Sequence, residues 1–475
     1  MKFSLVIKDK NKAYLGTLLW LPKKFINSIR IKTALEFEVY GKDGQNFLQL
    51  WEETPNHIGV PREFIPPEEY KNLSFPIINL SPSSFPRVNF KSKVVLDKLD
   101  PSKDIQKRAF AAFCKAKNGL LNLSCGNGKT TIALHAIARM GLNTLIIVNQ
   151  KTILSQWEGA IRNFLEFKGS IGLIQGKIWD WKHPITIAML HSLARHPDKV
   201  SIEIRRWFGV VIWDEIHHLS APYFCVTATM FPGRRYGLTA TAKREDGTEV
   251  VYNYHVGDVF YKDLYQEVKP TIIFRQTQFL ISPEDFIEFV LDISGQPNMG
   301  KLRTYMGSLE ERNEFIAIGL RDALSSGRKI LALSHSKIQL KKMYEKLSKE
   351  GIDTGICTGD EKVVERWAAL RDKRLIFGTH QLVMEAIDED SLDTLFWLTP
   401  FGSQHPDGGK NALQQGMGRI QGYRFKEGMK QPMVVIYDDI YVKYFHRMCN
   451  VLRKQLRSWP VDEGGPYKYT DLPPY

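Results

Sequence analysis

Cysteine is scarce in this chain of 475 residues. The five present, Cys114, Cys125, Cys225, Cys357 and Cys449, are scattered, with no Cys-x-x-Cys pair. That spacing argues against a disulfide framework or a zinc ribbon and for a reducing, cytoplasmic setting. Long apolar runs are also missing. No stretch approaches the ~18–20 residues of a membrane span, and Phe3–Ile7 is too short for the core of a signal peptide before charges return. No membrane partner is expected. No repeat at solenoid periods is visible. Acid is in deficit: 52 Asp and Glu face 65 Lys and Arg, a net charge of +13 with a pI near 9.3. A field of that sign favours a polyanionic partner, nucleic acid first. The length exceeds what one core supports, so two to four domains are expected.

The first 80 or so residues alternate apolar and polar positions in short runs, Phe3–Ile7, Leu15–Leu21, Ala34–Tyr40 and Phe47–Trp51. Gly41-Lys42-Asp43-Gly44 between two of them is a hairpin-turn signal. A small β-rich or α+β module over 1–90 follows, with Tyr14, Trp20, Tyr40 and Trp51 as residues that could stack on bases or fill its core. Ser81–Pro86 reads as a linker. Beyond it the period changes. Gln106–Lys117 is an amphipathic helix, and apolar strand runs then alternate with helices: Thr144–Val148, Ile171–Ile174, Ile185–Met189, Val210–Trp213 and Tyr236–Thr239. A second series begins near 266: Thr271–Phe274, Ile330–Ser334, Thr354–Cys357, Arg374–Phe377, Thr394–Leu398 and Met433–Tyr437, with helices Asn313–Ser325 and Ser336–Lys349 between them. Strands alternating with helices at this spacing mean parallel sheets covered on both faces. The expected organisation is the module, two α/β domains in tandem over 91–265 and 266–458, and a Pro/Gly-rich tail from 459 to 475.

Leu120–Thr131 carries the first chemistry. An apolar run meets a glycine-bearing turn, and Lys129-Thr130 opens a helical pattern. Gly126 and Gly128 let backbone N–H groups of the stretch from Cys125 through Asn127 to Thr131 approach phosphate oxygens, and the helix N-terminus adds its positive dipole end. Lys129 can reach the outer phosphates and the Thr130 hydroxyl can ligate Mg²⁺. Leu123 stands where the strict G-x-x-x-x-G-K-[ST] pattern has its first glycine. Val210–His217 is a buried strand ending in two carboxylates. A phosphoryl-transfer site needs an acid near Mg²⁺, which Asp214 fits, and a polar group to orient the attacking water, which Glu215 fits.

Together these stretches resemble the DExH helicases of superfamily 2, and the Leu-Ser-Cys-Gly-Asn-Gly-Lys-Thr wording is most similar to the XPB-like branch. The resemblance covers about 100–445 and implies two RecA-like domains. Leu238–Thr241 resembles the Ser/Thr-Ala-Thr motif that couples ATP state to nucleic acid, giving Thr239 and Thr241 that role alongside His217 and Asp388. Arg244-Glu245-Asp246 matches the Arg-Glu-Asp signature of XPB-like enzymes. Ile146–Val148 with Gln156-Trp157, and Thr186–Leu193, resemble strand-binding motifs, and Asn149, Gln156, Trp157, His191, Arg244 and Thr379 are nucleic-acid candidates. Gln106 sits where such enzymes place an adenine-reading glutamine, with Lys103 in place of the usual upstream arginine. In the second domain, Ile376–Thr379 through Asp388 resembles the fifth motif, with Ala386 in place of its usual glycine. Gln414–Ile420 resembles the sixth, in which Gln415 faces water and Arg419 reaches the γ-phosphate. A second arginine belongs at Gly422, and Arg424 is the nearest substitute.

The resemblance implies ATP and Mg²⁺ as cofactors and a DNA helicase or translocase of 3′–5′ polarity. Size and a short N-terminal module are similar to the phage recombination helicases of the UvsW type, which unwind and branch-migrate forked or four-way DNA. The expected partners are single-stranded and branched DNA, with a phage protein acting in its host's cytoplasm as one setting. A DExH RNA helicase and a duplex translocase that separates no strands stand as alternatives, and a non-hydrolysing clamp is a third.

Overall fold

In the computed structural model the described residues are 9–41, 44–93, 104–124, 126–240, 247–264, 269–380, 391–400, 413, 416–418, 420, 430–460 and 465–474. The chain divides into two compact units, 1–123 with 127–262, and 124–126 with 263–475.

The first unit opens with the small α+β module. Its elements are β1 (Ala13–Leu15), β2 (Leu18–Pro22), α1 (Ser28–Ala34), β3 (Glu36–Gly41), β4 (Gly44–Gln49), β5 (Glu52–Glu53), β6 (His57–Pro61) and β7 (Ile77–Asn79). Five strands form one sheet in the order β5-β6-β2-β1-β7, while β3 and β4 pair as a separate hairpin with Gly41 opposite Gly44. Of the aromatics weighed for base stacking, Tyr14 and Trp20 are buried, and Trp51 lies under the Lys32 ammonium at 4.3 Å. The Tyr40 side chain lies outside what the structure describes. Among the described rings of the module, Phe25 and Phe47 are exposed.

Ser81–Pro86, expected as a linker, leads into a segment laid directly on the next domain. The Pro86 carbonyl accepts from the Asn143 N–H at 3.2 Å, the Val88 N–H donates to Gly141 at 3.0 Å and the Lys93 N–H to Phe164 at 2.8 Å. The core of the module, built on Leu19, Leu21, Ile58 and Val60, is completed by Cys225, Val251 and Tyr254 from much later in the chain. Fully buried Arg235 closes the junction. Its Nη2 donates to the Thr17 carbonyl of the module at 2.9 Å, its Nη1 to the His255 carbonyl at 2.9 Å, and Nε and Nη2 both reach the Phe231 carbonyl. Asn118 donates to Glu63 at 2.8 Å, and Arg62 to the Pro232 carbonyl at 2.8 Å. Burial pulls the Arg235 pKa down and pushes the Glu63 pKa up, and each offsets part of the other's cost.

The module is followed by α2 (Asp104–Lys115), β8 (Gly119–Leu123), α3 (Lys129–Met140), β9 (Thr144–Val148), α4 (Lys151–Phe164), β10 (Gly172–Gln175), β11 (Ile178–Asp180), β12 (Ile185–Met189), α5 (Leu190–Arg195), α6 (Ile202–Trp207), β13 (Val210–Asp214), β14 (Arg234–Thr239), α7 (Glu249–Val256) and β15 (Val259–Asp263). The sheet runs β11-β10-β12-β9-β13-β14-β8-β15. From β10 to β8 all neighbours are parallel, and β11 joins antiparallel. Alternate residues of β9 and β13 feed different cores. Ile146, Val148, Val210 and Ile212 belong to one, Leu145, Ile147, Val211 and Trp213 to the other, as strands covered on both faces require.

The second unit contains β16 (Thr271–Thr277), α8 (Pro283–Phe289), α9 (Met299–Ser308), α10 (Glu310–Ser325), β17 (Ile330–Ser334), α11 (Lys337–Lys349), β18 (Thr354–Cys357), α12 (Val363–Asp372), β19 (Leu375–Thr379), β20 (Thr394–Trp397), β21 (Met433–Asp439), α13 (Lys443–Arg457) and β22 (Tyr469–Leu472). Its seven parallel strands are ordered β18-β19-β17-β20-β21-β16-β22. The expected tail is corrected here. Tyr469–Leu472 adds an edge strand to β16, and Trp459 and Tyr467 are buried in the core of the unit. Arg312 and Asp439, both fully buried, form a two-pronged pair at 2.8 Å and 2.8 Å; Thr277 donates to the same carboxylate at 2.6 Å. Both units carry the RecA-like arrangement.

Replacing Arg235 by Met keeps most of its volume but leaves the carbonyls of Thr17, Phe231 and His255 without their donor. Urea denaturation should show a loss of about 3–5 kcal/mol. An unchanged midpoint would mean that the junction does not depend on this side chain.

Candidate functional site

In a parallel sheet the strands end together, and loops at their carboxyl edge meet. Here β8, β13 and β14 deliver Leu123, Asp214 and Thr239 to that edge, with Asp214 opposite Leu238 and Thr239 opposite Asn122 in the ladders.

The loop after β8 follows from its glycines. Gly126 and Gly128 hold φ of 82° and 78°, the left-handed region that side-chain-bearing residues avoid, and α3 starts at Lys129 immediately after. Leu123 explains its own departure from the P-loop pattern. Its side chain is buried in the core, so what it turns to the loop is its carbonyl, which accepts from Lys129 Nζ at 3.1 Å. Gln106 on α2 is also buried and reaches the Asn127 carbonyl at 3.4 Å. Thr130 and Thr131, in the first turn of α3, are half-buried.

At the end of β13, Asp214 accepts from the indole N–H of Trp157 at 2.8 Å and from the Glu215 backbone N–H at 3.1 Å. Burial first, and then the charge of Glu215, push its pKa up to about 6; the Trp157 hydrogen bond and Lys129 work against the rise. Glu215 takes φ 48°, the one positive-φ non-glycine residue among the described residues. A left-handed backbone costs such a residue roughly 1–2 kcal/mol. Its carboxylate lies 3.4 Å from His217 Nδ1. The next ring, His218, meets the Asn149 amide at 2.7 Å. Ile216 anchors this loop on β14 at Gly237, where a Cβ would come within 2.4 Å of the isoleucine side chain. Asn122, buried on β8, turns its amide to the carbonyls of Thr239 and Ala240 at 3.3 and 3.2 Å when its nitrogen is placed as the donor.

A family model described as "Type III restriction enzyme, res subunit" matches residues 100–244, the stretch bearing the P-loop, the acid pair and Thr239. L396 of Acanthamoeba polyphaga mimivirus, provisionally named an ATP-dependent RNA helicase, is 24% identical over 443 residues, 88% of this chain and 79% of that protein. The DNA 3′-5′ translocase XPB2 of Sulfurisphaera tokodaii is 32% identical over 176 residues, 37% of this chain and 38% of its own length. These matches relate the chain to the XPB-type helicases of superfamily 2. The helicase is thus an ATP-driven enzyme. Its fold matches the solved structure of S. cerevisiae Dbp5 bound to RNA and ADP BeF3, at a TM-score of 0.54 and 12% identity, over 79% of this chain and 94% of that one.

Within the first unit of the helicase, Gln106, Asn127, Lys129, Asp214, Glu215, His217 and Thr239 lie on or against one sheet edge. Two nucleic-acid candidates are placed otherwise than expected. Trp157 is 1% exposed and bonded to Asp214, and Asn149 is 8% exposed and turned to His218. Neither presents a surface to a strand. Gln156 is half-buried on α4; His191 is exposed, with its ring against Phe224 at 4.6 Å; Thr379 ends β19 half-buried. Cys125, Thr241, Arg244, Asp388, Gln415, Arg419 and Arg424 lie outside the described residues. Sequence reasoning missed Asn122, the Trp157–Asp214 bond and the Asn149–His218 bond, since each joins residues that only the folded sheet brings together.

The raised Asp214 pKa has a sign that can be checked. Ionising this group costs more in the folded than in the unfolded chain, so the nucleotide-free protein loses stability as pH rises from about 4 to about 6. Asp214→Asn removes that loss. Urea denaturation above pH 7 should find the variant more stable by on the order of 1–3 kcal/mol, with the gap closing toward pH 4. A variant less stable than wild type across that range would contradict the assignment.

Proposed function

We propose that this helicase is an ATP-dependent 3′–5′ DNA translocase that unwinds or branch-migrates forked and junction DNA. The observation that carries the reading is the edge where Lys129, Asp214 and Glu215 converge. The residues there fit a Mg²⁺-nucleotide. A loop with two left-handed glycines runs straight into the N-terminus of α3, a geometry suited to phosphate, and two adjacent carboxylates suit a cation. Thr130 and Asp214 would hold Mg²⁺, which supplies positive charge against the transferred phosphoryl group. Lys129 neutralises phosphate charge, Glu215 orients water, and His217, Thr239 and Asn122 carry the state of the site along the sheet edge. The family-implied roles of Thr241, Asp388, Gln415, Arg419 and Arg424 belong to the same proposal.

DNA is favoured by the likeness to XPB2, named a DNA 3′-5′ translocase, while the net charge of +13 suits nucleic acid of either kind. The N-terminal module offers Lys24 and Arg30 together with exposed Phe25 and Phe47, basic and aromatic groups suited to reading branched DNA. An RNA substrate is the second reading, because L396 is provisionally named an RNA helicase and matches the greater part of the chain.

ATP turnover should be measured with no nucleic acid, single-stranded DNA, duplex, a four-way junction and RNA. Junction DNA should stimulate most, and Lys129→Ala should abolish turnover. Glu215→Gln should keep nucleotide binding and lower turnover by about 10²–10⁴-fold. Stimulation by RNA alone would transfer the helicase to the second reading.

The module's role has its own test. Lys24→Glu with Phe47→Ala should reduce the preference for junction over linear DNA several-fold while turnover without DNA stays unchanged. An intact preference would remove the module as the structure reader.

A further inference from the structure

The stretch 149–157 runs from the end of β9 into the first turns of α4, and it touches the acid loop twice. The Trp157 indole donates to Asp214 Oδ2 at 2.8 Å, and the Asn149 amide meets His218 Nε2 at 2.7 Å. Both contacts are part-buried, and on the α4 side Trp157 and Asn149 are almost wholly enclosed. Trp157 shares a core with Ile153, Leu154 and Ile161, so its ring cannot swing without moving α4. Asp214 has its other oxygen on the Glu215 N–H, leaving its carboxylate pinned from both sides. A carboxylate held this way has one orientation, and that orientation is inherited from the seat of a helix.

We propose that Trp157 is a positioning residue that sets Asp214 for Mg²⁺, so that nucleic acid pressing on α4 is felt at the ATP site through one indole–carboxylate bond. Asn149 and His218 form the second leg of the same link. The inference rests on the helicase reading above and deepens it. The start of α4 supplies an accessible face: Lys151 and Ser155 are exposed and Gln156 is half-buried. The helix faces outward at those positions and inward at Trp157, so displacement on one side is carried to the other. Coupling by such a route needs a continuous chain of packed or bonded groups, which β9, α4 and the acid loop provide.

The test uses full-length protein and a fluorescent ADP analogue, titrated with EDTA or with Mg²⁺, each with and without single-stranded oligo-dT. Trp157→Phe retains most of the packing and removes the N–H. It should leave Mg²⁺-free affinity within about two-fold of wild type and reduce the affinity gained on adding Mg²⁺ by about 10–100-fold, the usual effect of losing a partner that orients a metal ligand. Oligo-dT should change the Mg²⁺-dependent gain in wild type and no longer do so in the variant. In an Asp214→Asn background, Trp157→Phe should add nothing, whereas a packing role alone would still show. A Mg²⁺-dependent gain equal to wild type in Trp157→Phe overturns the inference. If Trp157→Phe fails to fold, Asn149→Ala carries the test, with loss of the oligo-dT effect expected and its persistence decisive against the link. Failure of wild type to bind the analogue at all would instead strike the helicase reading.

Discussion

Two carboxylates stand side by side at the carboxyl end of β13, and their mutual repulsion in a place with little water is the constraint around which the first unit is arranged. Asp214 is relieved by an indole N–H, a backbone N–H and the nearby Lys129 ammonium. Glu215 has a histidine beside it and a backbone held in the left-handed region. None of these contacts removes the cost of the charge; they direct it. Two acids this close, beside a loop with two left-handed glycines, are the charge arrangement that the proposed Mg²⁺-nucleotide would complete.

The second unit handles a buried charge differently. Arg312 and Asp439 meet in a two-pronged pair, with Thr277 and the Leu398 carbonyl taking up further hydrogen-bonding capacity. Here opposite charges satisfy each other and the pair ties α10 to β21. The contrast separates a structural use of buried charge from a functional one. A compensated pair of opposite charges fixes a fold, and a pair of like charges is what the proposed cation would relieve.

Much of this is legible in the sequence. Buried parallel strands are written as short runs of β-branched and aliphatic residues, which is why Thr144–Val148, Ile185–Met189 and Ile330–Ser334 stand out. Lys129 and Asp214 announce themselves through neighbours in the chain. What escapes is chemistry joining distant segments. Nothing local marks Arg235 as the residue that reaches Thr17, or Trp157 as a partner of Asp214 rather than of a base. The strand Tyr469–Leu472 is hidden by its Pro- and Gly-rich surroundings, because a four-residue edge strand is defined by its partner β16 and not by its own composition.

The shared core of the N-terminal module has a consequence for how the protein is made. Leu19, Leu21, Ile58 and Val60 leave the ribosome early, whereas Val251 and Tyr254, which complete their packing, are synthesised long afterwards. During that interval the module's own Leu35, Leu48, Leu50 and Phe75 are in hand, but the part of the core filled by Cys225, Val251 and Tyr254 stays open. The module is therefore a late-closing element despite its early position: most of its core is made from its own residues, and the last of it waits for the chain to reach α7.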